Sequence, residues 1–306
     1  MSTVAYEIVD VFTDRPFAGN PLAVVFGAEA LGADQMQALA REFNLSESVF
    51  VLPPTGGGTY RARIFTPETE LPFAGHPSVG AAVTAVRRGW AAPGRLIQEC
   101  GAGALPIEVT ATGSATLTGG PPTLGPALDP DPLLGLVGLS ADDYAGGADS
   151  ASSAGLSAVS AGLASPRRAG CGLEFTFLPV RRPALARAYA DAATAAKIGV
   201  PQISVFAWDP VQRSAHARVF CPGMSVPEDP ATGSAALGLG VWLVAAGWLA
   251  GDGTSAYTVH QGLEMHRPSV LECRVTAAAG AVASATVAGH VVPVARGDIA
   301  VPPFIG

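Results

Sequence analysis

Charge is scarce in this 306-residue chain: Asp, Glu, Lys and Arg supply 14% of it, and aromatic residues 7%. The net charge of −7 is spread without a long acidic or basic block, which argues against an electrostatic grip on nucleic acid or on an anionic membrane. No run of about 18 apolar residues occurs; the nearest, AALGLGVWLVAAGWLAG, is short and Gly-rich and reads as a buried helix, so no membrane span is expected. The opening MSTVAYEIVDVF carries Glu7 and Asp10 and lacks the basic and apolar regions of a secretory signal, so a cytoplasmic location is expected. Cys100, Cys171, Cys221 and Cys273 lie far apart without CxxC spacing, and the five histidines are scattered. Neither a disulfide framework nor a metal site is therefore expected.

What is present is a composition 49% hydrophobic with 37 glycines, that of a soluble globular protein with a core rich in small residues. The length favours two domains. It also contains a long repeat. DQMQALAREF has helical spacing at Met36, Leu39, Ala40 and Phe43 and is followed by the strand-like SVFVL from Ser48; ALARAYADAATAAKIG precedes SVFAW from Ser204 in the same way. ARIF at Ala62 and ARVF at Ala217 each lead through a Pro-punctuated loop to a small-residue helix that ends at Gly-Trp. The offsets agree: 204 − 48 = 156, 217 − 62 = 155 and 247 − 89 = 158. These are two copies of one α/β unit, and two copies predict two lobes with a ligand cleft between them rather than a solenoid. The Ala-, Gly- and Ser-rich stretch from Ala127 to Gly170 contains the expected crossover.

The two helix starts carry the chemistry. Pro77 after His76 and Pro230 after Asp229 suit the first helical turn, which places His76 near one N-cap and Asp229 at the other. Free N–H groups there favour a carboxylate or oxyanion, and Gly75 and Gly233 let a ligand approach the backbone. Taken singly, His76 reads equally as a core residue, Asp229 as a cap and Ser234 as a small helical residue. The copies differ at Glu47, whose counterpart is Ile203. A carboxyl at the start of an apolar strand, facing a cleft, suits general acid/base work.

The motifs VDVFTDRPFAGNPLAVV, NLSESVFV, FAGHPSVGAA, EDPATGSAA and QGLEMHRPS run colinearly over nearly the whole chain and resemble those of the PhzF family, the phenazine-biosynthesis isomerases and their relatives. That resemblance implies an α/β (α+β) fold of two pseudo-symmetric lobes, each a curved mixed sheet wrapped around a central helix, similar to diaminopimelate epimerase. The lobes would be residues 1–122, to which 291–306 could return, and 123–290. It implies a homodimer, and a cofactor-independent and metal-independent isomerase acting on a small cyclic or amino carboxylic acid, of the trans-2,3-dihydro-3-hydroxyanthranilate isomerase type. Glu47 then matches the residue that takes and returns a proton, with His76 and Asp229 polarising the substrate. Gly75, Gly233, Ser234, Asn20 and Ser46 are expected to bind it. A one-base epimerase or racemase of an amino-acid-like substrate, and a non-catalytic binding homologue, are the alternatives. A two-cysteine racemase is disfavoured, because the helix starts hold AGHP and DPATG and Cys221 falls opposite Thr66. His266 stands where the family commonly has Gly.

Overall fold

A computed structural model describes residues 2–146, 164–224 and 226–303. The chain divides into two compact units, Met1–Leu117 with Ala288–Gly306, and Thr118–Val287. No helix among the described residues is long and apolar enough to cross a membrane.

The first unit contains β1 (Thr3–Val11), β2 (Asn20–Phe26), α1 (Ala33–Phe43), β3 (Glu47–Leu52), β4 (Tyr60–Phe65), β5 (Glu70–Leu71), α2 (Gly75–Arg87), β6 (Gly94–Cys100), β7 (Gly103–Val109) and β8 (Ser114–Thr118). β2 with β3 and β4 with β6 are parallel; β1–β2, β3–β4, β4–β5, β6–β7 and β7–β8 are antiparallel. α2 is the central helix. It is buried from Gly75 to Ala85 and packs on β1, β2, β3, β4, β6 and β7, which its small side chains permit. Gly80 makes the closest approach, since a Cβ there would lie 2.4 Å from Leu22 Cδ2 and 3.0 Å from Val11 Cγ2. α1 has one apolar stripe, and Met36, Leu39 and Ala40 bury it in a layer with Val25, Phe50, Leu52 and Phe65.

The second unit contains β9 (Pro122–Ala127), α3 (Pro130–Leu136), β10 (Arg167–Cys171), β11 (Leu173–Pro179), α4 (Ala192–Ile198), β12 (Ile203–Asp209), β13 (Ser214–Phe220), β14 (Glu228–Asp229), α5 (Gly233–Ala245), β15 (Gly253–Gln261), β16 (Ser269–Ala278) and the start of β17 (Ala281–Ala300). α5 is its buried central helix, packed on β9, β10, β11 and β16. α3 and α4 bury Leu133, Leu134, Leu136 and Ala195 in a layer with Ile203, Val205 and Phe220. β17 runs on into the first unit, where it pairs antiparallel with β1.

The repeat holds strand by strand. From β10 to β16 the pairings β10–β11, β11–β12, β12–β13, β13–β14, β13–β15 and β15–β16 are antiparallel, parallel, antiparallel, antiparallel, parallel and antiparallel, the series already given from β1 to β7. Both central helices end at the Gly-Trp pair. Gly89 N–H meets Val86 O at 2.9 Å and Trp90 N–H meets Ala85 O at 2.9 Å; Gly247 and Trp248 repeat this on Val244 and Leu243 at 3.0 and 2.9 Å. Glycine at φ +77 and +71 makes these Schellman ends possible.

One local expectation changes. The stretch read as a single helix over residues 184–199 is a 3-10 helix, Arg182–Arg187, followed by an extended link and then α4. The Arg218 guanidinium takes the carbonyls of Leu185 and Ala188, both at 2.7 Å, and the Asp191 carboxylate caps the restarted helix by accepting from Thr194 N–H at 2.6 Å. Of the inter-copy stretch, α3 is ordered into the second unit's core, and residues 147–163 lie outside the described residues.

Candidate active site

Parallel pairing of β2 with β3 through the α1 crossover brings the starts of both strands together, with Leu22 in register with Glu47. Asn20, the first residue of β2, is thereby set beside Ser46 and Glu47. The Ser46 hydroxyl donates to Asn20 Oδ1 at 3.1 Å, and Asn20 Nδ2 stands 3.2 Å from His76 Nδ1. With the amide placed so that its oxygen takes the serine hydroxyl, its NH2 group faces the ring and Nδ1 accepts. A neutral His76 then carries its proton on Nε2, a buried atom with no hydrogen-bond partner among the described residues. Glu47 Oε2 lies 3.6 Å from Nδ1. Burial pushes the imidazole pKa down to about 3, so near pH 7 the ring that faces Glu47 is neutral.

The helix start that carries His76 is braced from beneath. Tyr60 OH donates to Gln98 Oε1 at 2.9 Å, Gln98 Nε2 donates to Ser78 Oγ at 2.8 Å, and Ser78 Oγ donates to Ala74 O at 2.8 Å. All three side chains are buried, and desolvation raises the Tyr60 phenol far above its usual range. The chain fixes the first turn of α2 and with it the ring.

Both helix starts differ from the sequence reading by a few residues. The N-cap of α2 is Ala74, so Gly75 and His76 are its first two helical residues and Pro77 the third. The N-cap of α5 is Thr232, so Asp229 is not the cap but the end of β14, three residues earlier. Asp229 instead accepts a hydrogen bond from the Thr232 hydroxyl at 2.5 Å. Gly233 and Ser234 open α5 as Gly75 and His76 open α2, each at an offset of 158 (233 − 75 and 234 − 76). The positional counterpart of His76 is therefore Ser234, and that of Asp229 is Leu71 (229 − 71 = 158).

Glu47, His76, Asn20, Ser46 and Gly75 thus stand together in the first unit, and Asp229, Gly233 and Ser234 at the corresponding helix start in the second. Two neighbours escaped the sequence reading. Thr232 was legible only as part of DPATG, and Gln261 only as the first letter of QGLEMHRPS; a lone Thr or Gln has no spacing signature. Gln261 Nε2 donates to Asp229 O at 2.7 Å, and Thr232 N–H donates to Gln261 Oε1 at 3.2 Å. His266 is exposed, and its φ of +57 explains why glycine suits this position. The four cysteines are free thiols, Cys171 and Cys273 buried. Among the described residues no three His, Cys, Asp or Glu side chains are grouped to hold a metal ion.

Known proteins resemble this chain along nearly its whole length. The family described as phenazine biosynthesis-like protein, PhzC-PhzF, matches residues 9–297. An uncharacterized isomerase of Mesorhizobium japonicum, mll1393, is 37% identical over 98% of this chain and 99% of its own length. The trans-2,3-dihydro-3-hydroxyanthranilate isomerase of Pseudomonas aeruginosa is 31% identical over 95% and 98%. A crystal structure of the Bacillus anthracis phenazine biosynthesis protein of the PhzF family superposes with a TM-score of 0.82 at 25% identity, covering 98% of this chain and 100% of that one. Colinear motifs, duplicated sheet and these full-length likenesses agree: the chain belongs to the PhzC-PhzF family and is an isomerase of the PhzF type.

Proposed function

We propose that the protein moves a proton within a small cyclic or amino carboxylic acid without cofactor, with Glu47 as both base and acid. The observation that carries this reading is the linked series Ser46–Asn20–His76 with the Glu47 carboxylate 3.6 Å from the ring. In the reaction the Glu47 carboxylate takes the proton from an acidic carbon of the substrate. The electron pair delocalises into the conjugated system, and the resulting carboxylic acid returns the proton to a second carbon. Composition and charge of the substrate are unchanged, as an isomerisation requires. His76, held neutral, serves as a hydrogen-bond donor through Nε2 rather than as a cation. Asp229, with Gly233 and Ser234 at the start of α5, binds and orients the acid, and Gly75 leaves the start of α2 open to close approach of a ligand. A homodimer is part of the same reading and is checked by sedimentation equilibrium.

The test is Glu47→Gln assayed by NMR in D₂O with trans-2,3-dihydro-3-hydroxyanthranilate, the compound named for the Pseudomonas relatives. Removing a general acid/base costs roughly 10²–10⁴-fold in rate. The variant is expected to lose product formation and deuterium incorporation to that extent while still binding the compound; undiminished turnover removes Glu47 from the mechanism.

A further inference from the structure

Asp229 sits in a ring of hydrogen bonds that the rest of the site does not require. Its carboxylate accepts from Thr232 Oγ1 at 2.5 Å, Thr232 Oγ1 accepts from Gln261 Nε2 at 3.0 Å, and the same Nε2 donates to the Asp229 carbonyl at 2.7 Å. Gln261 Oε1 closes the ring by accepting from Thr232 N–H at 3.2 Å. The orientation of this amide is fixed, because one main-chain partner is a carbonyl and the other an N–H. Both Nε2 hydrogens and the oxygen of Gln261 are thus used, and the side chain is only 1% exposed.

This orientation has a chemical consequence. With a Gln261 hydrogen directed at its oxygen, the Thr232 hydroxyl turns its own single hydrogen to Asp229 Oδ2. Gln261 therefore sets the polarity of the hydroxyl, which donates to Asp229 Oδ2. The loop is also held from its far side. Ser269 Oγ lies 2.9 Å from Pro230 O, and a Cβ on Gly262 would come within 2.6 Å of that same carbonyl.

The first unit supplies the control. Its positions matching Asp229 and Thr232 are Leu71 and Ala74 (229 − 71 = 158; 232 − 74 = 158). The position matching Gln261 is Cys100: each follows a register pair of the parallel strands, His216↔His260 in one case and Arg61↔Glu99 in the other. Leu71, Ala74 and Cys100 cannot form such a ring, yet the same strands and helix form around them. The ring is not what folds the repeat.

We propose that Gln261 is a positioning residue that acts through Thr232 to hold the Asp229 carboxylate in place for the reaction. This rests on the reading of Asp229 given under Proposed function. The test compares Thr232→Val, Thr232→Ser, Gln261→Met and the Val/Met double variant, with trans-2,3-dihydro-3-hydroxyanthranilate as substrate. Thr232→Val, which keeps both main-chain bonds of Gln261, is expected to lower kcat by at least about tenfold with KM changed less than about threefold. Gln261→Met should lose a similar factor and the double variant no more than the larger single loss, because the two act in one series. Thr232→Ser restores the hydroxyl and should recover kcat to within about threefold. Unchanged kcat in Thr232→Val, or losses that multiply in the double variant, overturns the proposal. Asp229→Asn is measured alongside: wild-type turnover in that variant defeats the reading of Asp229, and an inert wild type removes this compound as substrate and leaves the decision to the structures that follow. Crystal structures of Thr232→Val and Gln261→Met decide positioning independently of turnover. A displaced Asp229 carboxylate is expected in both, and an unmoved one in Thr232→Val overturns the inference even where no rate is measured.

Discussion

Replacing His76 by Gln removes a titration that makes folding depend on pH. The imidazole has its pKa lowered from 6.5 to about 3 by burial. Between those values the unfolded chain binds a proton that the folded ring refuses. Stability from this group is therefore complete above pH 6.5 and is lost as pH falls toward 3. The loss is about 1.4 kcal/mol per pH unit in that window, so roughly 2 kcal/mol between pH 6.5 and 5 and about 5 kcal/mol over the whole span. His216 and His260 are also shifted down by burial, but they remain in both proteins and cancel in the difference. Urea unfolding followed by tryptophan fluorescence at pH 7.5, 6.5, 5.5 and 5.0 reads the effect. The wild type should lose about 2 kcal/mol more than His76→Gln between pH 6.5 and 5. Curves for the two proteins that stay parallel to within about 0.5 kcal/mol would refute the reasoning, since the folded ring would then be accepting the proton.

Further variants test the packing and the paired charges that carry the site. Gly80→Ala should cost about 1–3 kcal/mol, because its Cβ would meet Leu22 Cδ2 at 2.4 Å, whereas Gly135→Ala in α3, where a Cβ meets nothing within 4 Å, should be neutral or stabilising by up to about 1 kcal/mol; thermal unfolding separates them. Arg218→Met should cost about 3–5 kcal/mol, since it strands the Glu228 carboxylate and the Leu185 and Ala188 carbonyls. The repeat-equivalent Arg63→Met breaks a pair with 24% and 39% exposed side chains and should cost about 1 kcal/mol or less; equal losses in chemical denaturation would show that burial does not set the difference.

Much of this arrangement was legible one residue at a time. The helix period of DQMQALAREF, the apolar strand after Glu47 and the Gly-Trp stops are local signals, and each became the expected element because local backbone preference and burial agree there. The ALARAYADAATAAKIG stretch misled because its break is imposed by Arg218, a residue distant in sequence that claims two of its carbonyls. The helix starts were displaced for a related reason. Pro and Asp are good local markers of a first turn, but Asp229 is drawn into β14 and the ring with Thr232 and Gln261, which leaves the cap to Thr232.

The sequence alone determined the duplication, the family likeness and the presence of Glu47 in only one copy, because these depend on the order and type of residues. Tertiary structure decided what those residues do to one another. It buried His76 against Asn20 and Glu47 and so kept its ring neutral, made Ser234 rather than Asp229 its counterpart, and brought Gln261 from a distant strand to hold Asp229. Proton affinity and hydrogen-bond direction depend on burial and on which partners converge in space, and neither is encoded at any single position.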